Sequence, residues 1–132
     1  MRFLIDTHTF LWFINGDVRL SPYARQRIEN AKNTRLLSTA SLWEMAIKVS
    51  TGKLKLGMSF TELYTIHIQG NAIEILEMTP EHPDIMKALP FHHKDPFDRM
   101  IISQGIAENI PILSHDELFD NYENVKRIWH SL

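Results

Sequence analysis

The sequence predicts an α/β domain of three layers, with a central, mostly parallel sheet of about four to five strands between helices. Two observations carry this. Short apolar runs that read as strands alternate with longer segments that start and stop as helices do, which argues for a parallel sheet covered on both faces. The chain is also short, 132 residues, with no linker, repeat or low-complexity stretch, so one domain spanning 1–132 is the economical reading.

Residues 2–5 form a short apolar run that ends in Asp6-Thr7-His8, a buried strand delivering Asp6 at its carboxyl end. Residues 9–14 continue as an apolar helical turn, broken by Asn15-Gly16-Asp17. Ser21-Pro22 starts a helix, serine as cap and proline at the first helical position, running through Tyr23, Ile28 and Ala31. Residues 35–38 are a second strand, and 39–49 a strong helix that stops near Thr51-Gly52. After a connection over 53–57, Ser59 caps a helix through Ile68 that Gly70 closes. Residues 72–78 are the third strand, and Thr79-Pro80-Glu81 opens the next helix by the same cap-plus-proline logic, ended by Leu89-Pro90. A helix follows from Pro96, then a fourth strand over 110–114, a turn or short helix over 115–119, and a terminal strand over 125–129.

Composition bounds the function. The hydrophobic share of 44% and charged share of 23% are ordinary for a globular protein. No cysteine is present, which removes disulfides, thiolate metal sites and a cysteine nucleophile, and fits a reducing cytoplasm. Asp6 interrupts the apolar start too early for a signal peptide, and no apolar stretch is long enough to span a bilayer. A formal net charge of -2 gives no global basic field, which argues against coating nucleic acid but leaves room for an enzyme that meets phosphates through cations.

Five acids fall where a parallel sheet gathers ligands, beyond the carboxyl ends of its strands. Asp6 follows the first strand, Glu44 lies early in the helix after the second, and Asp116 follows the fourth. Asp95 and Asp98 start the helix before the fourth strand. A helix leading into a strand is expected to begin at the opposite edge, so Asp98 joins the others only if that helix or its loop folds back. Each acid also has a structural reading: Asp6 and Asp95 as caps, Ser41 to Glu44 as a capping box, Asp98 as a dipole partner, Asp116 as a turn residue. Together they suggest more, since clustered carboxylates repel one another unless a cation neutralises them. An all-oxygen set suits Mg²⁺ or Mn²⁺ rather than zinc, and such ions activate water and stabilise charge on a phosphate.

The segments Phe3-Leu4-Ile5-Asp6-Thr7-His8, Ser41-Leu42-Trp43-Glu44-Met45-Ala46-Ile47-Lys48 with Gly52-Lys53-Leu54, residues 89–99 ending Lys94-Asp95-Pro96-Phe97-Asp98-Arg99, and Ser114-His115-Asp116 carry a family likeness. In that order the chain resembles the PIN-domain nucleases, and among them the VapC-like toxins of toxin-antitoxin pairs. The resemblance implies a PIN-like α/β/α fold and Mg²⁺- or Mn²⁺-dependent hydrolysis of RNA phosphodiester bonds, leaving 3'-hydroxyl and 5'-phosphate ends. It assigns Asp6, Glu44, Asp98 and Asp116 as catalytic, metal-holding acids, with Asp95 either a further ligand or a cap. It brings the third acid, Asp98, into the same cleft. It places the Thr7 hydroxyl beside the first acid, where it would meet substrate, and implies a homodimer and a small cognate antitoxin.

Lys48, Lys53, Lys55 and Arg99 flank these segments and are candidates to hold the RNA backbone, a solvated helix face being the alternative. His92 and His93 raise a zinc site, weakly, because adjacent loop histidines project differently. Ser114-His115-Asp116 are contiguous and lack the glycines of a nucleophile elbow. Phe10, Trp12, Phe13 and Trp43 are core by default, with an exposed subset open to a partner helix or a dimer face. Two other functions compete with the ribonuclease. One is a catalytically silent PIN-like module whose acidic pocket binds a cation or a partner's arginine. The other is an aspartyl-phosphate receiver using Asp6.

Overall fold

The chain starts in the middle of its sheet. In the computed structural model, which describes residues 1–130, β1 (Arg2–Ile5) lies between β2 (Thr34–Ser38) and β4 (Ile112–Leu113). The edges are β3 (Glu74–Leu76) and β5 (Arg127–Ile128), giving the order β3-β2-β1-β4-β5. All pairings are parallel, so the sheet expected to be mostly parallel is wholly so. Alternation along the strands builds two cores. Phe3, Ile5, Leu37, Leu113 and Ile128 face one, while Leu4, Leu36 and Ile112 face the other.

Helices cover both faces. On the first lie α1 (Thr7–Asn15), contributing Phe10 and Leu11, α2 (Pro22–Glu29), contributing Ala24 and Ile28, and α3 (Thr39–Ser50), contributing Met45. The Ser21 hydroxyl caps α2 by accepting from the Ala24 N–H, with Pro22 at the first turn as expected. The helix from Ser59 reaches Ile68 as expected, but not as a single α-helix. A capping box with Glu62 starts α4 (Phe60–Leu63), which widens into a π turn over Tyr64–Ile68 and a 3₁₀ turn over Gln69–Asn71. Leu63 and Ile68 are both fully buried five residues apart, a spacing that a π turn brings to one face better than an α-helix does.

The second face carries α6 (Pro96–Glu108), with Ile101 and Ile102 in the core, paired with α5 (Glu81–Met86). No side-chain cap opens α5. Pro80 stands at its N-cap and the Thr79 N–H donates to the ring of buried His82 instead, so the expected threonine cap is corrected.

The orientation of α6 is also a correction. Gly105, late in α6, packs on Ile112 at the start of β4, whereas Asp98, in the first turn of α6, lies near Asp116 beyond the end of β4. The helix runs antiparallel to the strand it feeds. A crossover between parallel strands must return the chain from the carboxyl edge to the amino edge, so its final helix descends from the carboxyl edge. Asp98 needs no unusual loop to reach the other acids.

Gly105 permits this packing. A Cβ there would sit 2.7 Å from Ile112 Cδ1 and 2.9 Å from its Cγ1, so the fully buried Ile112 side chain would have to shift. Gly105→Ala should destabilise the fold by about 1–3 kcal/mol, read from the denaturant midpoint. An unchanged midpoint would show that β4 can shift.

Candidate active site

The strand order reverses between β1 and β4, and the crevice beyond their carboxyl ends is where ligands bind in such sheets. Asp6 and Ser114 leave these two strands side by side, since Ile5 is in register with Leu113. The Ser114 hydroxyl therefore donates to Asp6 Oδ2. Asp6 Oδ1 accepts from the Thr9 N–H at 2.8 Å, capping α1. Asp6 is thus a cap and a site acid at once.

The same division holds for Asp116. Its Oδ1 accepts from the Leu118 N–H at 2.9 Å, starting the 3₁₀ turn Glu117–Asn121, and its Oδ2 faces the crevice. Asp95 uses Oδ1 twice, accepting from the N–H groups of Phe97 at 2.9 Å and Asp98 at 3.0 Å. That firmly makes it the cap of α6. Asp98, one turn inside, makes no such bond and turns its carboxylate to the acids.

Glu44 is not part of a capping box. The N-cap of α3 is Ser38, which puts Glu44 well past the third helical position and frees its side chain. The carboxylate is nearly fully buried; Oε2 accepts from Lys48 Nζ at 2.7 Å, and Oε1 has no hydrogen-bond partner. A buried carboxylate oxygen left without a donor is costly, and a cation is the kind of group that satisfies it.

Burial first, then the negative charges of Asp6, Asp95, Glu44 and Asp116, push the Asp98 carboxyl up to about 8. Burial likewise raises Asp6, against the hydrogen bonds from Ser114 and Thr9. Loss of water dominates at both acids, and at Asp98 the repulsion expected of carboxylates sharing one crevice adds to it.

His93 was not foreseen in this role. Its buried ring accepts the Asp95 N–H at Nδ1, 3.2 Å, so the ring hydrogen sits on Nε2. Nε2 lies 2.8 Å from Asp116 Oδ2 and 3.2 Å from Asp98 Oδ2, bridging the two acids. One ligating atom from each of His93, Asp98 and Asp116 lies within 4.8 Å of the others. The Tyr122 hydroxyl accepts the His93 N–H at 2.9 Å, and the ring packs edge-on to Phe119. The sequence held one signal, a histidine two residues before the helix cap, but contacts with Asp116 and Tyr122 depend on the fold.

Three of the residues expected to touch substrate are each placed differently. Thr7 is buried and donates to the Ser41 hydroxyl at 2.8 Å, joining α1 to α3 behind Asp6. Arg99 is buried too. Its guanidinium donates to the carbonyls of Pro90, His93, Met86 and Leu89 and lies over the Phe91 ring. With both Nη atoms on backbone carbonyls and the side chain buried, it serves the fold, which corrects the expectation that it holds RNA. Lys48 is one-third exposed and steadies Glu44. Trp43, expected in the core, is largely exposed and stands edge-on to Phe97.

Comparison with known proteins agrees with this fold. The model of the PIN domain matches residues 3–125. No curated protein matches the chain. The fold is similar to that of VapBC2 from Rickettsia felis, solved bound to a DNA fragment from its promoter, at 20% identity and a TM-score of 0.71, covering 97% of this chain and 98% of that one. It is similar to DNA-bound VapBC from Salmonella typhimurium at 16% identity and a TM-score of 0.68, with 97% of each chain covered. A domain of a functionally unknown protein from Methanocaldococcus jannaschii aligns at 16% identity and a TM-score of 0.58, over 99% of this chain and 91% of that one.

Proposed function

Because the chain belongs to the PIN-domain family, we propose that it is a Mg²⁺- or Mn²⁺-dependent endoribonuclease, acting as one PIN-like domain and as the toxin of a toxin-antitoxin pair. The observation that carries the metal is the buried, partnerless Glu44 Oε1, together with an Asp98 carboxyl raised by burial and by the charges of Glu44 and the other acids. A hard cation fits this oxygen donor set.

Asp6, Glu44, Asp98 and Asp116 would hold one or two ions, directly or through water, with Asp95 behind them as the cap that fixes Asp98. When bound, the ion activates water and offsets the charge that builds on the scissile phosphate. The chain does the rest by position. Ser114 orients Asp6, Lys48 orients Glu44, and His93 spaces Asp98 from Asp116.

The VapBC names of two structures similar in fold support a small cognate antitoxin as partner, and the working form we propose is a homodimer. No helix among the described residues is long and apolar enough to cross a membrane. As the toxin of such a pair it would meet its RNA in the cytoplasm.

Cleavage of cellular RNA should require Mg²⁺ or Mn²⁺, stop in EDTA, and be lost in Asp6→Asn and Glu44→Gln. Equal activity in the variants would refute the assignment, and a metal-loaded wild type that cuts no RNA would favour the silent binding module. Binding has its own readout. At tenfold excess over Kd, Mg²⁺ should stabilise the protein by about 1.4 kcal/mol, or roughly 5 °C in Tm, and less in Glu44→Gln.

A further inference from the structure

The acidic crevice has an aromatic wall. The cavity of about 520 Å³ that holds Asp6, Asp98 and Asp116 is lined on its other side by His8, Trp12 and His115. A second cavity of about 410 Å³ shares His8 and Trp12 and continues to Lys48 and Lys53. The two form one groove, running from the acids past aromatic rings to basic side chains.

The wall is built rather than incidental. Trp12 is partly buried, with ring centroids 6.4 Å from His8 and 5.7 Å from His115. Buried Trp129 stands edge-on to it at 6.0 Å, and the Arg19 guanidinium lies 4.9 Å from the Trp12 ring centre, held there by Asp17. The indole is therefore fixed, while the imidazoles of His8 and His115 are exposed in the cavity. Arg19 is neutralised by Asp17 and Lys48 is shared with Glu44, but Lys53 makes no ion pair among the described residues.

A nucleotide presents an anionic phosphate and, a few ångströms away, a flat ring with a polarizable face. This groove presents the complement in the same order. We propose that His8, Trp12 and His115 form a subsite for an unpaired nucleobase next to the scissile phosphate, with the strand's backbone leaving past Lys53. Bases inside a duplex are stacked on one another and have no free face, so the substrate class is single-stranded RNA or a loop. The inference rests on the ribonuclease reading and adds to it the recognition of a base.

The test separates the two. Fluorescein-labelled octaadenylate and an octamer of the same ribose-phosphate backbone without bases are titrated, in Mg²⁺, into the Asp98→Asn protein, with anisotropy as the readout. Octaadenylate should bind at least about fivefold more tightly than the abasic octamer. In the Asp98→Asn protein that also carries His8→Ala and His115→Ala, the ratio should fall towards one. Both histidines are exposed, so a thermal melt should show the fold retained, and His115→Ala alone should lower the ratio in part. A ratio of one before the histidines are changed, or one that they do not alter, overturns the inference, while RNA cleavage by wild type would leave the ribonuclease reading standing. Binding of neither octamer also overturns the inference, and the ribonuclease reading falls with it only if the wild type cuts no RNA.

Discussion

Asp98→Asn should abolish cleavage and, in EDTA at pH 8, raise the melting temperature. The two effects share a cause. Burial, and after it the negative charges of Asp6, Asp95, Glu44 and Asp116, pushes the Asp98 carboxyl from 3.8 up to about 8. Between those values the folded protein holds a proton that the unfolded chain has released. Stability therefore falls as pH rises across that window: this group's contribution is fully present below about 3.8 and is lost through about 8. Asparagine cannot ionise, so the variant keeps its stability at pH 8 and gains nothing at pH 4. With Mg²⁺ the order should reverse, because the cation favours the charged form that only the wild type can offer. The rate should fall at least about a hundredfold, the scale on which one well-placed charge stabilises a transition state. Melting curves at pH 4 and pH 8, with EDTA or Mg²⁺, check the argument without reference to activity. A variant less stable than wild type at pH 8 in EDTA would show that Asp98 is held by contacts and not repelled by charge.

This pattern explains what was legible in the sequence and what was not. Strand runs such as Phe3-Leu4-Ile5 were readable because a strand buried on both faces has no polar side to disguise it. The caps at Ser21, Ser59 and Asp95 were readable because they are local, closed by N–H groups two or three residues on. For the acids, cap and ligand looked like competing readings, whereas a carboxylate has two oxygens. Asp6 and Asp116 each give one to a backbone N–H and turn the other to the crevice. What stayed hidden was non-local. His93 reaches Asp116 across 23 positions, and Thr7 reaches Ser41 across 34, distances over which spacing carries no signal. The register of β1 with β4, which makes Ser114 the neighbour of Asp6, follows from strand order and not from any local pattern. The edge from which α6 descends was misjudged for want of a topological argument that sequence alone would have permitted.

Arg99 offers the second large effect, since its two readings predict opposite results. A guanidinium that gripped RNA would tolerate lysine, which keeps the charge, with a raised KM and an unchanged Tm. The structure sets it to another task. Nη1 donates to the Pro90 and His93 carbonyls and Nη2 to those of Met86 and Leu89, so one planar cation closes the turn between α5 and α6. A lysine ammonium has three donors in a compact head and lacks the planar fork needed to span these carbonyls. Arg99→Lys should therefore leave buried carbonyls without donors and cost about 3–5 kcal/mol, or roughly 10 °C or more in Tm. The loss also reaches the site. The His93 carbonyl is one of the four acceptors, and the His93 ring bridges Asp98 and Asp116, so a loosened turn displaces the group that spaces two of the acids. Cleavage should fall with stability, measured well below the variant's own Tm, and Mg²⁺ should shift that Tm less than it shifts the wild type's. Retained Tm with weakened RNA binding alone would return Arg99 to the substrate.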